Sequence, residues 1–574
     1  MIDLPYGNKA RLLSEVLDLI EKCRISQGAR AAYYRLMNMI AETGRYDGTK
    51  SLINLLPSQL TRTSDHLFSP IELKFCVDYE RPRPKVDMER ARETAKILTR
   101  TWERNNTDMT FGRGVFEALK YGVCFMKQWV QVEGADEHPV YYDKLVMPWQ
   151  FGVYREDENR LERQQALCET SILTLPEVWS RIHHLPNAEK LFNQIKTHSK
   201  AGESGADPSS FFHQVLSTSQ LNTGVQGMTR PVPGGIVQLN DDPNYSIMGP
   251  VIGPETVQLH ELWVMDEDDY VTIQVIEPDI LIAPIFKKSN LLGVKKTQPY
   301  RIIQPNEMTN WIWGRSDLVD LIEPQGLLST TCDDLKRLFG LQVDKILGFI
   351  GDTTIDDERY GQFRAAGYLS LPQGSSISDV TPKIPAEMQP FIKFLIETIN
   401  ILGGFPDIMQ GKGEPGVRAG VHADTLMKTA SPSLRDRALL VERQCAVCGD
   451  LTLSLMEAKD PEYYWLRADD PIKDVEETKF LLSDLPEDWR VTVDSHSSSP
   501  IFIDENTQLI FAAAKLGYVT GDYVLDNMPF PNKEMAKLQL REKEKQQAQF
   551  MQKILKENPE LGEKLLLKRS GGLH

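Results

Sequence analysis

Gly411, Gly413 and Gly416 spell G-x-G-x-x-G, the spacing with which backbone amides cradle a pyrophosphate. That chemistry needs a strand before the glycines and a helix N-terminus after them. Here a helical pattern ending in Gly403-Gly404 and Pro406 comes first, and Pro415 removes one of the amides, so no dinucleotide cofactor is expected. No G-x-x-x-x-G-K-[ST] phosphate loop occurs, so the chain is not expected to hydrolyse ATP. Cys445 and Cys448 are closely spaced but lie in a helical pattern without a second cysteine pair or a histidine set, which favours buried thiols over zinc. His183-His184, His260 and His422 lack acids or cysteines at metal spacing and read as structural or solvent-facing. Ser497 to Ser499 beside His496 lack a nucleophile elbow. No carboxylate pair is legible in an apolar pocket. No catalytic constellation and no metal site is expected, so the chain reads as a non-enzyme.

Two groups of basic residues remain. Lys412 and Arg418 flank the glycine-rich loop, with Gln410 and His422 at its edges, and Lys287, Lys288, Lys295 and Lys296 share a second loop. In a monomer these are solvated charges. In a symmetric ring each lysine becomes a circle of positive charge that touches phosphates transiently. The second loop admits the same two readings, a solvated basic loop or a rim that meets DNA or an acidic partner.

The totals constrain what positions these loops. At 574 residues the chain exceeds the roughly 250 to 300 residues of a single core, so several domains are expected. A hydrophobic content of 41% with 25% charged residues is ordinary for a folded protein, and no apolar run approaches the roughly 20 residues of a membrane span. The N-terminus carries acids and lacks the pattern of a secretory signal, and seven scattered cysteines suit reduced thiols, so synthesis in a cytoplasm is expected. A net charge of -16 argues against a broad basic face gripping nucleic acid. It does not exclude a protein that lets DNA pass, since many simultaneous phosphate contacts would stall sliding.

Along the chain, residues 9–42 predict two helices with stripes at Leu12, Leu13, Val16, Leu17 and Ile20, then Tyr34, Leu36, Met37 and Ile40. Short helical turns are expected around Pro57, a strand over 71–80, and an amphipathic helix over 88–105. A further helix, capped by Thr107 or Asp108, is expected to end at Gly122, with strands at 123–132 and from Val140. Thr174 and Pro176 open another helix. Residues 199–254, rich in Gly, Ser, Pro, Asn and Asp, read as an insertion or extended arm: a surface loop, or a ring-forming arm or contact for another protein. Residues 256–286 predict a hairpin turned at Asp266 to Asp269 and another strand, as a small mixed α/β or β-rich module. Trp313 to Ser316 opens a helical region of about thirty residues, interrupted near Pro324 and Gly326; Gln325 to Ile346 alone would span roughly 33 Å.

Residues 391–435 predict a helix with core positions Phe391, Phe394, Leu395, Ile399 and Leu402, a projecting glycine-rich loop, and a helix from Ala423 toward Ala458 broken at Pro432. A strand and its turn within 489–501, helix-turn-helix material over 506–528 and a charged helix over Lys533 to Lys568 complete the chain.

The helix, Gly-Phe-Pro break and loop at 391–435 resemble the tunnel-loop region of the portal proteins, or head-to-tail connectors, of tailed bacteriophages. The helix end from Glu117 to Gly122, with Trp149 to Val153 ahead of a polar turn, resembles their wing domain. Trp313 to Ser316 is similar to the opening of their second stem helix. The resemblance covers nearly the whole chain in order. It implies an α+β, mainly helical, multi-domain portal fold: 1–174 as the N-terminal part of the wing, 175–198 as a first stem helix, and 199–312 as insertion and clip. The second stem helix region is then 313–347; 348–460 is the C-terminal part of the wing, with a tunnel loop near 408–422, and 461–574 the crown and C-terminal helices. The departures are the 199–254 insertion and Pro324.

The implied function is a homo-oligomeric ring, most often of twelve subunits, at one vertex of a viral capsid. Double-stranded DNA would pass through it without sequence specificity during packaging and ejection. Terminase, capsid and scaffolding proteins, and adaptor or tail proteins would be its partners, with the virion as its place and the host cytoplasm as the place of assembly. The residues implied at the channel are Gln410, Lys412, Arg418 and His422, and at the clip Lys287, Lys288, Lys295 and Lys296. Two other readings stay open: another ring-forming structural protein without a DNA-wide channel, and an enzyme using the glycine loop as a phosphate cradle.

Overall fold

The structure is a computed structural model. It describes residues 4–5, 8–25, 27–70, 73–79, 86–132, 139–183, 185, 187–198, 256–267, 269–276, 280–283, 290–343, 347–350, 376–404, 432–459, 464–466, 478–480, 489–493 and 509–519, with single residues between 521 and 543. Its class is α+β, helices combined with antiparallel sheets.

The helices are α1 (Lys9–Arg24), α2 (Gln27–Thr43), α3 (Leu56–Leu67), α4 (Val86–Asn105), α5 (Thr107–Tyr121), α6 (Leu175–Ile182), α7 (Ala188–His198), α8 (Leu318–Val343), α9 (Met388–Leu402) and α10 (Pro432–Lys459). The strands are β1 (Phe75–Tyr79), β2 (Cys124–Val132), β3 (Pro139–Val146), β4 (Phe151–Val153), β5 (Ala166–Thr174), β6 (Thr256–Asp266), β7 (Asp269–Ile276), β8 (Ile280–Ala283), β9 (Tyr300–Ile303), β10 (Leu347–Ile350), β11 (Ser376–Asp379), β12 (Tyr464–Leu466), β13 (Thr478–Phe480) and β14 (Trp489–Val493).

Two sheets make the centre of the body: a five-stranded antiparallel sheet in the order β4-β5-β6-β7-β8 and a three-stranded sheet β3-β2-β9. Phe125, Val146, Phe151, Trp263, Tyr270, Tyr300 and Trp313 fill one core together with Leu451 and Leu455 of α10. The apolar stripe of α1 lies on β5, β6 and β7. A larger, mostly helical core gathers α2 to α5 and α8 to α10 around Trp102, Phe111 and Leu119.

Several expectations meet corrections. Pro57 sits in the first turn of a full helix, α3, instead of interrupting one, because its missing N–H falls where no intrahelical partner exists. Neither Thr107 nor Asp108 caps α5: the N-cap is Asn106, at φ 55°, and the Thr107 hydroxyl bonds the Asp143 carboxylate at 3.1 Å. The stretch 175–198 is two helices that fold back on each other, with Asn187 at φ 75° before the second and Trp179 edge-on to Phe192. Both pack on the sheet through Val178, Ile182 and Ile195 against Leu173, Val257 and Ile276, so this stretch is not one long exposed rod. Strands β6 to β8 form the expected hairpin and third strand, but not a separate module: β6 runs along β5 for nine residue pairs, from Ala166↔Val264 to Thr174↔Thr256. α8 runs unbroken through Pro324. α10 begins at Pro432, and the expected helical stretch before it, like the 199–254 insertion, lies outside the described residues.

Candidate functional site

Two motifs far apart in sequence meet at the root of α8. Gly122 ends α5 at φ 98°, a conformation that L-residues rarely adopt; a Cβ there would stand 2.7 Å from the Trp313 carbonyl oxygen and 3.1 Å from the Arg315 nitrogen. Ser316, from the same Trp-Gly-Arg-Ser segment, donates its hydroxyl to the Lys120 carbonyl at 2.6 Å and accepts the Leu318 amide at 3.1 Å. One serine thus satisfies an orphan carbonyl of α5 and an orphan amide of α8. The Asp317 carboxylate, held by Arg437 at 2.7 Å, ties the start of α8 to α10.

From this root α8 and α9 form an antiparallel pair. Gln325 of α8 bonds the Ile53 carbonyl at 2.8 Å and the Leu55 amide at 3.1 Å, just before α3, and Asn400 near the end of α9 accepts from Gln59 of α3 at 2.6 Å. At the other end Gln342 donates to the Pro382 carbonyl at 2.6 Å, and β10 and β11 pair antiparallel beyond it. Residues 333–343 follow the last buried position of α8, Cys332, and carry it about 16 Å further at 1.5 Å per residue.

The outer surface of this pair carries several large apolar side chains where solvent-facing helices are ordinarily polar. Of the expected core positions of α9, Leu395 and Ile399 are buried, but Phe391, Phe394 and Leu402 are not: Phe394 is 59% exposed and Leu402 51%. Ile392, Leu395, Ile396 and Ile399 face inward, while Phe391, Phe394, Ile401 and Leu402 make a second stripe outside. Phe391 and Phe394 stack with centroids 6.4 Å apart. Leu327, Phe339 and Val343 add exposed apolar area on α8. Exposed apolar residues gathered on one helix face are the kind of patch that marks an interaction surface. Asp334, Lys336, Arg337, Lys393 and Glu397 are exposed among them, charges of both signs.

Of the basic residues singled out in the sequence, Lys295 and Lys296 are exposed on a loop whose backbone is fixed: the Lys296 amide bonds Asp269 at 2.7 Å, and Asn290 bonds Asp269 at 3.1 Å and the Val294 carbonyl at 2.8 Å. Lys287, Lys288, Gln410, Lys412, Arg418 and His422 lie outside the described residues, as does the whole glycine-rich loop.

Sequence reasoning missed a buried ionic cluster between the two central sheets. Glu169 and Glu261 stand directly opposite each other in the β5–β6 ladder, and the Lys127 ammonium of β2 bridges them at 2.6 Å and 2.7 Å. Lys144 reaches Glu169 at 2.9 Å, the Tyr300 hydroxyl donates to Glu169 at 2.8 Å, and the Trp263 indole to Glu261 at 2.8 Å. No carboxylate pair was legible in the sequence because this one is made by strand register, which aligns Glu169 with Glu261 across β5 and β6. Burial alone would raise the pKa of Glu169, but the lysines outweigh it and hold it at about 2. Glu261 is lowered by Lys127 against the same burial cost, and Lys127 is raised because both carboxylates outweigh its desolvation. Two cations neutralise two anions and donors occupy their oxygens, so the cluster ties sheet to sheet and leaves no basic lone pair poised for proton abstraction.

Cys445, Cys448, His183 and His260 are structural, while His184, His422, His496 and Ser497 to Ser499 lie outside the described residues. Burial pushes the Cys448 thiol up to about 12 and Cys445 well above its ordinary value, so neither supplies a thiolate. His183 bonds the Ser180 carbonyl at 2.7 Å, and buried His260 bonds Thr170 at 3.0 Å. Among the described residues no cluster of histidine, cysteine and acidic side chains could hold a metal ion, and no helix is long and apolar enough to cross a membrane.

No protein-family model matches the chain, and no curated protein is significantly similar to it.

Proposed function

We propose that the chain is the subunit of a ring of the portal type, most often twelve copies, standing at one capsid vertex as a conduit for double-stranded DNA and a platform for terminase and for adaptor or tail proteins. Its work on this reading is mechanical and uses no cofactor. The observation that carries it is the second apolar stripe of α9, Phe391, Phe394, Ile401 and Leu402, which the single chain leaves in water beside Leu327, Phe339 and Val343 of α8. A ring supplies an identical neighbour to every such face, and closing it requires two different complementary surfaces on each chain. The order of wing-like, stem-like and loop segments in the sequence supports the portal form of ring over others. On this reading the α8–α9 pair faces the channel and its neighbours, and Lys412 and Arg418 follow α9 toward the DNA.

Native mass spectrometry and negative-stain electron microscopy test it. A closed ring with a hole of duplex width is expected; a monomer under all conditions, including with capsid or scaffolding partners, overturns the proposal. The double variant Phe394→Glu, Ile401→Glu should dissociate the ring, while changing the stability of the chain itself by only about 0.5 kcal/mol because both sites are exposed. A ring that survives both charges places the subunit contact elsewhere.

A further inference from the structure

The root of the α8–α9 pair combines two soft points with a polar seam. In α8, Pro324 has no backbone N–H to give the Asp320 carbonyl, and a Cβ on Gly326 would meet nothing within 4 Å. In α9, the helix ends in Gly403-Gly404, the latter at φ 82°. Both points lie level with α3, where Gln325 bonds Leu55 and Asn400 bonds Gln59. Between α8 and the α2–α3 connection the contact is made of hydrogen bonds, although the core beside it is apolar. Ser329 meets Ser51 at 2.6 Å, and Arg45 gives one bond to the Ser329 carbonyl at 3.1 Å and an ion pair to Asp333. Such bonds can be exchanged for water one at a time, whereas interlocked apolar side chains resist sliding.

We propose that residues 324–326 and 403–404 are a double hinge on which the α8–α9 pair swings against the body, and that the Arg45–Asp333 ion pair with the Ser51–Ser329 bond is the latch that holds it against the α2–α3 connection. A pair of antiparallel helices can swing only if both roots yield, and here each root carries a residue that loosens the backbone. The inference does not depend on ring formation, since every residue in it belongs to one chain.

Hydrogen exchange of the full-length chain tests it, read at the Leu55 amide, which bonds Gln325 across the seam, and across 320–332. Asp333→Asn removes the ion pair at a partly exposed site and should speed exchange at Leu55 about tenfold while the β5–β6 ladder is unchanged. Pro324→Ala restores the missing amide and should slow exchange at Leu55, and in the double variant reverse most of the Asp333→Asn effect. Equal acceleration in the seam and in the β5–β6 ladder, or Leu55 exchange indifferent to Pro324→Ala, overturns the hinge. Because the readout is local exchange and not assembly, it can fail while the ring stands, and the reverse.

Discussion

Replacing Lys127 by methionine is expected to cost about 3–5 kcal/mol in denaturant unfolding at pH 7, the loss that follows when one partner of a buried ion pair is removed. Two carboxylates would then face each other across the β5–β6 ladder with only Lys144, on the Glu169 side, to balance them. The pH dependence should reverse. In the parent protein Glu169 and Glu261 have lowered pKa values, Glu169 at about 2. Their stabilisation is therefore present above the unfolded value of roughly 4.3 and is lost as pH falls through the folded values. In the variant Glu261 keeps its burial but loses the cation, so its folded pKa lies above the unfolded one. Its stabilising protonation is present below roughly 4.3 and lost as pH rises through the folded pKa. Unfolding curves at pH 5 and pH 7 decide the point: the variant should be the more stable at pH 5. A loss under about 1 kcal/mol with unchanged pH dependence would mean that water reaches the cluster and screens it.

Gly122→Ala should cost about 2–5 kcal/mol, adding about 1–2 kcal/mol for a side chain at a positive φ to about 1–3 kcal/mol for overpacking. The added methyl meets backbone on both sides, the Trp313 carbonyl and the Arg315 amide, and neither can turn aside as a side-chain tip would. The damage should spread to the start of α8, because the shift needed to admit the methyl pulls Ser316 from the Lys120 carbonyl. Gly326→Ala is the matched control: in a helix, with open space around the new methyl, it should be neutral or stabilising by about 1 kcal/mol. Urea midpoints of the two variants check both figures. Equal effects would show that the junction at Gly122 yields more readily than its geometry implies.

Helix and strand types were legible in the sequence wherever the signal was local. Leu12, Val16 and Ile20 recur at helical spacing and are buried on α1, Gly122 ends α5, and Asp266 to Asp269 turns the hairpin of β6 and β7. The candidate site was legible in pieces: the Trp313 to Ser316 segment and the Glu117 to Gly122 helix end each stood out, but nothing in either says that Ser316 caps both α5 and α8. Periodicity also misassigned Phe391, Phe394 and Leu402 to the core, because a helix with apolar residues on both faces gives no local sign of which face its own chain will cover. The pairing of Glu169 with Glu261 and their shared Lys127 required the register of β5 on β6 and the approach of β2 from the other sheet. By itself the sequence determined the backbone's local preferences, since φ/ψ limits, proline, glycine and side-chain period act within a few residues. Only the tertiary structure decided which faces are covered, which acids share a cation and where α8 is rooted, because those depend on contacts between residues far apart along the chain, set by strand register and by the packing of whole elements.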